Sequence, residues 1–423
     1  MAIPKGFRRV LYEVSPKNRG GLPHQCALVR NDRKPVNNNL PYQRMTTMIY
    51  LDNSATTKPC AEAIEAMTSA LTENWANPSA LYGFGIDIAR KLKEARTAVA
   101  KAMGAEPDRV FFTSGGTEAD NWAIFSTAKR YGKKNKHIVT TAIEHHAVLN
   151  CMKELEGQGF EVTYLQPDDL GNITLESLKA ALRKDTFLVS IMMVNNEVGS
   201  VMPIDKMAKL THKLCPDAIF HTDAVQGFLK VPFSAKTLGA DLITVSSHKI
   251  HGPKGAGALY ISPRIKSFPA FMVGGGQEGN YRSGTEATPA IFGFAAAAAV
   301  GATTFQDDIV QEKALLHGLV EQLAPLTAVK INGAHDAPHI LSLSIPGVPT
   351  QNSINVLQDA GICVSAGSAC AKGHRSHTLT AMNLSPERMD SSFRVSLCRD
   401  TTQKELDKLV DVINNGIIAR FVK

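Results

Sequence analysis

Between residues 59 and 245, short apolar runs alternate with segments of helical period, and this alternation narrows the fold more than any other feature of the chain. Strand-like runs fall at 110–113, 137–140, 162–165, 187–192, 219–221 and 242–245, with helical patterns near 59–73, 86–103, 118–131, 146–156, 175–183 and 204–214. Runs of Val, Ile, Leu and Phe suit strands buried on both faces, and parallel neighbours need crossovers long enough to hold a helix. The pattern predicts an α/β fold: a large, mostly parallel sheet flanked by helices on both faces. It then changes to a helical pair near 286–324, strands at 328–331 and 340–345, a helix at 351–360, a strand at 393–397 and a helix at 402–420. This second part reads as a smaller α+β domain. The expected organisation is a basic tail over 1–47, an N-terminal segment over 48–62 packing with the small domain, a large domain over 63–304 and the small domain over 305–423. No internal repeat is present.

Open α/β sheets bind ligands at the carboxyl ends of their strands, so the residues delivered there are the candidates for chemistry. The run 242–245 delivers Ser246, Ser247, His248 and Lys249, followed by the Gly/Pro loop His251-Gly252-Pro253-Lys254-Gly255. Alone, Lys249 reads as a solvent lysine, but an amine held at the end of a buried strand is partly desolvated and can form a Schiff base. Thr113-Ser114-Gly115-Gly116-Thr117-Glu118 links a strand to a helix, where free N–H groups suit a phosphate and also suit a plain N-cap. Asp223 closes another strand with Gln226 just beyond, fit for a pyridinium nitrogen or for a turn. His145 follows a third strand and could stack on an aromatic ring or carry protons. A metal reading would join His145 with His248 and His251, but no carboxylate or cysteine completes a ligand set in the sequence, and no metal is expected.

Cys370 lies in a loop of small residues, 365–371, followed by Lys372, His374 and Arg375, which favour a thiolate. Cys363 and Cys398 lie in apolar runs and read as structural. Arg394, on a predicted strand, needs a buried anion: a substrate carboxylate or a structural partner.

Of the net charge of +7, residues 1–47 hold all: nine Lys/Arg against two acids, leaving 37 of each in the rest. The body therefore carries no nucleic-acid footprint. The tail, with five prolines, is expected to be disordered, an extension or mis-assigned start rather than an address. The apolar stretch 290–302 is too short to span a bilayer. Seven scattered cysteines with no CxxC pair predict a reducing compartment, the cytoplasm.

Together, Tyr50 to Thr57, Asn77-Pro78-Ser79, Ser114 to Asn121, Glu144-His145, Val194 to Gly199, Asp223 to Gln226, Ser247-His248-Lys249, Arg282 to Glu286 and Gly367 to Cys370 carry a specific resemblance. From Ile49 to about Val412 the chain resembles the NifS/IscS-type cysteine desulfurases, class V aminotransferases of the fold-type I pyridoxal-phosphate (PLP) group. The resemblance implies that Lys249 holds PLP and moves protons, Asp223 pairs with the pyridinium nitrogen, Gln226 and Asn196 bond the phenolate side, and His145 stacks on the ring. It assigns Gly116, Thr117, Ser246 and His248 to the phosphate, helped by Thr285 of a second subunit in a homodimer. Arg394 and Asn196 would bind the substrate L-cysteine. Cys370 would take its sulfur as a persulfide, for acceptor proteins in iron–sulfur assembly or tRNA thiolation, with alanine released.

A selenocysteine lyase, another class V aminotransferase and a catalytically silent scaffold are the alternatives. The Cys370 loop argues against the aminotransferase, and the retention of Lys249, Asp223, Arg394 and Cys370 argues against the scaffold. The chain departs from the family at Gly279-Asn280-Tyr281, where an Arg-Gly-Arg is frequent, at Tyr82, often histidine, and at 371–374, usually Ser/Thr-rich.

Overall fold

A computed structural model describes residues 48–366 and 375–422. The strands are β1 (Ile49–Tyr50), β2 (Val110–Thr113), β3 (His137–Thr141), β4 (Glu161–Leu165), β5 (Thr186–Ser190), β6 (Ile219–Asp223), β7 (Leu242–Ser246), β8 (Gly257–Ile261), β9 (Lys330–Asn332), β10 (Ile340–Ser344), β11 (Ile362–Cys363) and β12 (Ser392–Ser396). The helices that matter here are α1 (Ala61–Thr72), α2 (Gly83–Met103), α3 (Gly116–Tyr131), α4 (His146–Gly157), α5 (Leu175–Ala181), α6 (Ile204–Leu214), α7 (Ala235–Leu238), α8 (Thr288–Leu323), α9 (Thr350–Asp359), α10 (His377–Ala381), α11 (Pro386–Asp390) and α12 (Gln403–Asp411).

Seven strands form the main sheet in the order β2-β8-β7-β6-β5-β3-β4. Neighbours from β7 to β4 pair in parallel, while β8 runs antiparallel to both β2 and β7. Period-two alternation divides the strand side chains between two cores. Ile138, Leu188, Leu242 and Leu259 face Trp122, Val148 and Met152 of α3 and α4. Val139, Val189, Phe220 and Ile243 face Val99 and Met103 of α2 and Phe294 of α8. The sheet is thus buried on both faces, as its unbroken apolar runs require.

The strand β8 was not expected. Its glycine-rich approach disguises it, and the glycine is needed: a Cβ on Gly257 would lie 2.8 Å from the backbone of Gly115. The helical pair expected over 286–324 is one helix of 36 residues, α8, opened by Pro289 near its first turn and free of any interior proline. By length and apolarity α8 passes for a membrane span. Its Ile291, Phe294 and Ala298 are instead buried in the core against α2, and its later turns carry Asp307, Asp308, Glu312 and Lys313. The expected division at 304/305 falls inside this helix. The helix expected at 402–420 begins as α12 behind a Thr402/Glu405 capping box and continues as a wider π-type turn over Val412–Ile418.

A second sheet, β12-β10-β9, packs with the last turns of α8, with α9 and with α12 around Leu319, Leu341, Phe393, Val395 and Leu406. The segment 49–52 joins it: β1 pairs in parallel with β11, Asp52 bridges Ser396, and Leu51 is buried in the same cluster.

A buried ion pair helps to pin the segment 271–286 to α2 and β2. Glu278 takes two hydrogen bonds from Arg96 of α2, at 2.6 and 2.7 Å, and one from the Phe112 N–H of β2 at 2.8 Å. Removing one partner of a buried pair strands the other charge, at a cost of about 3–5 kcal/mol, whereas replacing both by apolar side chains is often neutral. Glu278→Ala should therefore lower the thermal midpoint of the protein by several degrees, and the double change Arg96→Met with Glu278→Leu should recover most of the loss in a thermal melt.

Candidate active site

At the carboxyl edge of the main sheet, a cavity of about 400 Å³ is lined by Gly116, Thr117, His145, Asn196, Asp223, Gln226, Ser246, His248, Lys249 and Arg394. Ten of the residues singled out from the sequence thus converge. Thr285 is exposed and lies outside that lining, and Cys370 falls outside the described residues.

Lys249 ends the short 3-10 turn Ser247–Lys249 directly after β7. Its Nζ donates to the carbonyls of Ser54 (2.5 Å) and Ala55 (2.8 Å), two acceptors without formal charge. Desolvation, with the Arg394 guanidinium adding repulsion, brings its pKa down to about 8. A substantial fraction is then neutral near physiological pH.

Asp223 ends β6 in the core. Burial, and then the neighbouring Asp120 carboxylate, raise its pKa, while His145 and the Val225 N–H act the other way. Asp120, four residues into α3 from Gly116, lines the same cavity and is itself pushed up to about 8 by burial. Sequence reading missed it; one turn of helix past the glycine loop was its only signal. Beneath this pair His221, buried in β6, bonds Ser190 Oγ (2.8 Å) and Thr244 Oγ1 (3.1 Å) and is held neutral by burial. Acids this deep favour a cationic partner in the cavity.

His145 is the N-cap of α4, its Nδ1 accepting the Ala147 N–H at 3.2 Å. The ring is open to the cavity mouth, yet desolvation and then the Lys249 charge hold its pKa below the ordinary histidine value against the pull of Asp223. A neutral ring fixed through one nitrogen suits stacking. Behind it, His146 and His377 lie with ring centroids 4.8 Å apart. His377, which bonds the Glu144 carbonyl at 2.9 Å and lines the cavity, was also missed.

The residues fit PLP on independent grounds. The first N–H groups of α3 have no intrahelical acceptor and open on the cavity through Gly116 and Thr117. A Cβ on Gly116 would come within 2.8 Å of Val225 Cγ2, so the loop can close up only as glycine. Beside it the hydroxyl of Ser246 is buried without any hydrogen-bond partner. His248, pushed down to about 4 by burial and then by Lys249, is neutral and bonds Thr56 Oγ1 at 3.2 Å. Glu118 has a structural role as well, accepting the Ser114 N–H (3.0 Å) and pairing with Arg282 (2.8 Å), while the N-cap itself is Gly115 and has no side-chain cap. The remaining N–H groups and Ser246 are left for an anion.

Arg394 projects from β12 and is 6% exposed. It donates to the Asn196 carbonyl (2.6 Å) and pairs with Asp52 (2.8 Å), leaving Nε without a partner. The structural ion pair is visible directly, and the same residue lines the cavity. Gln226 donates to the Ser54 carbonyl at 2.9 Å, sharing that acceptor with Lys249. Ser365, at the cavity rim, exchanges backbone hydrogen bonds with Arg394.

Comparison with known proteins agrees with this geometry. Residues 49–409 match the family model "Aminotransferase class-V". The chain is similar to a cysteine desulfurase IscS of Methanosarcina thermophila, 40% identical over 370 residues, which cover 86% of this chain and 91% of that one. Among solved structures it is similar to a NifS-like protein, with a TM-score of 0.83 and 35% identity, covering 88% of this chain and 99% of that one. It is also similar to a protein described as SspA in complex with cysteine, with a TM-score of 0.74 and 31% identity, over 84% of this chain and 100% of that one. With a fold-type I sheet, a strand-end lysine opposite a buried aspartate and a family match over most of its length, the chain belongs to the class-V aminotransferase family, alongside cysteine desulfurases.

Proposed function

We propose that the chain is a PLP-dependent cysteine desulfurase, taking sulfur from L-cysteine to give L-alanine and a persulfide on Cys370. The observation that carries this reading is the convergence on one cavity of a desolvated lysine amine, a buried aspartate and a buried arginine. When bound, PLP supplies an electron sink for the substrate carbon. Lys249, Asp223, Gln226, Asn196 and His145 would hold its ring, and Gly116, Thr117, Ser246 and His248 its phosphate.

The chain's own groups supply the remainder. Lys249 Nζ, with a pKa of about 8, can hold or release a proton near neutral pH. Arg394, which lines the cavity, would orient the substrate carboxylate with its guanidinium, and Asp52 would hold that group between turnovers. Cys370 stands five residues past Ser365, within an extended reach of roughly 17 Å of the cavity rim. On the other side Arg375 is paired with Asp390 and Ser376 with Glu197. In the overall change the C–S bond of cysteine breaks, an S–S bond to Cys370 forms, and the carbon gains a hydrogen to become the methyl group of alanine. The persulfide then passes to acceptor proteins of iron–sulfur assembly or tRNA thiolation, in the cytoplasm.

A homodimer completes the site in this proposal. Leu81, Trp75 and Tyr82, 93, 66 and 60% exposed, make an unusual apolar surface between α1 and α2. A hollow lined by Ser114, Thr117, Lys254 and Gly255 opens outward beside the phosphate cradle. Thr285 of a second copy is the side chain proposed to reach it.

Two outcomes follow from these assignments. Cys370→Ser should bind PLP and L-cysteine normally and lose alanine release by roughly a hundredfold or more, because a serine hydroxyl is barely ionised at neutral pH. Persulfide mapping of wild type should find the extra sulfur on Cys370; finding it on Cys363, or wild-type alanine yield from the serine variant, would contradict the assignment. Covalent loading of PLP needs neutral Lys249, so it should rise with pH through a midpoint near 8 and fall away below it. A stopped-flow loading profile that climbs only near the ordinary lysine value would refute the desolvated amine.

A further inference from the structure

A second cluster of reactive side chains lies just behind the first. His251 follows Lys249 by two residues, and Cys398 follows Arg394 by four. Among the described residues, one group of three side chains could hold a metal ion: a His251 ring nitrogen, Cys398 Sγ and an Asp400 carboxylate oxygen lie within 4.8 Å of one another.

The histidine is set as a ligand would be. Its backbone takes a left-handed conformation, φ 64°, which a non-glycine residue adopts only under constraint. Three contacts impose it: the His251 N–H donates to Thr57 Oγ1 (2.7 Å), its carbonyl accepts the Cys60 N–H (2.9 Å), and Nδ1 bonds the Lys58 carbonyl (3.0 Å). Bonding to a carbonyl fixes the proton on Nδ1 and leaves the Nε2 lone pair outward, the arrangement typical of metal-binding imidazoles. Here Nε2 is buried without any hydrogen-bond partner, in a residue 5% exposed. A buried acceptor left empty is costly, which marks this nitrogen as the ring's free ligand atom.

Cys398 is a buried free thiol. Its N–H is held by Thr401 Oγ1 at 3.0 Å, which fixes the turn that brings Asp400 alongside. The nearby cation Lys230 is already paired with Glu312 at 3.0 Å. Arg399 also adds positive charge, which a thiolate and a carboxylate together offset.

We propose that His251, Cys398 and Asp400 form a binding site for a zinc-class divalent cation, joining the loop behind Lys249 to the end of β12. Nitrogen, sulfur and carboxylate oxygen are the borderline donor set that favours Zn²⁺, and three protein ligands leave a fourth position for water. Ligand atoms around tetrahedral zinc stand about 3.5 Å apart, so a group already within 4.8 Å would close by about an ångström on binding, with Asp400 the exposed member. On binding, the Cys398 S–H bond breaks, an S–Zn bond forms and the proton goes to solvent, with no change of oxidation state. The bound ion ties the segment bearing Lys249 to the strand bearing Arg394.

The test is equilibrium dialysis of PLP-loaded, chelator-stripped protein against zinc alone, with cobalt(II) as a spectroscopic probe. Wild type should take up one zinc per chain at this site and, with cobalt, show a thiolate charge-transfer band and the ligand-field bands of a tetrahedral ion. Cys398→Ser should abolish the charge-transfer band, and Asp400→Asn, a change at an exposed side chain, should weaken zinc at least tenfold. Cys60→Ser and Cys370→Ser should leave the band intact. Zinc uptake unaffected by Cys398→Ser and Asp400→Asn, or no uptake by correctly folded wild type, would overturn the proposal.

Discussion

The site depends on keeping one primary amine away from water. Lys249 meets this condition because β7 is buried on both faces and because its ammonium finds only the carbonyls of Ser54 and Ala55. Those carbonyls lie just after β1, in a segment held by the pairing of β1 with β11 and the bridge from Asp52 to Ser396. The protonation state of a residue on the main sheet is therefore set by a strand anchored to the C-terminal sheet. Arg394, on the neighbouring strand β12, both lowers the Lys249 pKa and holds Asp52. The amine, the guanidinium and the segment 52–55 form one linked unit.

The opposing wall is a set of acids too deep to be charged at no cost. Glu144 accepts from Thr141 (2.8 Å) and the Met192 N–H (2.9 Å), and its second oxygen is buried without a partner. Burial raises Glu144, Asp120 and Asp223 alike, with Asp120 adding to Asp223 and both of them adding to Glu144. Such an arrangement is unfavourable alone and becomes favourable when a cation enters. With a readily deprotonated lysine on one side and buried acids on the other, the cavity would suit a ring that carries its positive charge at the nitrogen.

Much of this was legible in the sequence, for a physical reason. Strands buried on both faces leave continuous apolar runs, so β2 to β7 were visible, and residues directly after them had to reach the ligand edge. Lys249, Asp223, His145 and Gly116 were found that way, and the family resemblance gave them roles. Antiparallel β8 was hidden because its glycines signal a loop while they serve close approach to Gly115. The continuity of α8 was hidden because an alanine-rich core segment and a charged amphipathic one differ in pattern but share one backbone. Asp120, His377 and the Arg394–Asp52 pair depend on contacts across the fold that no local period records. The same holds for His251, which the sequence grouped with other histidines and the fold sets beside Cys398.

The central claim is that the amine at the end of β7 is the covalent anchor of the cofactor. Its most direct test is peptide mass spectrometry of the PLP-loaded protein after borohydride reduction. The account predicts a single pyridoxyl-phosphate adduct per chain, on Lys249. An adduct on Lys254 or Lys230 in its place, or none on a protein that turns over L-cysteine, would contradict it.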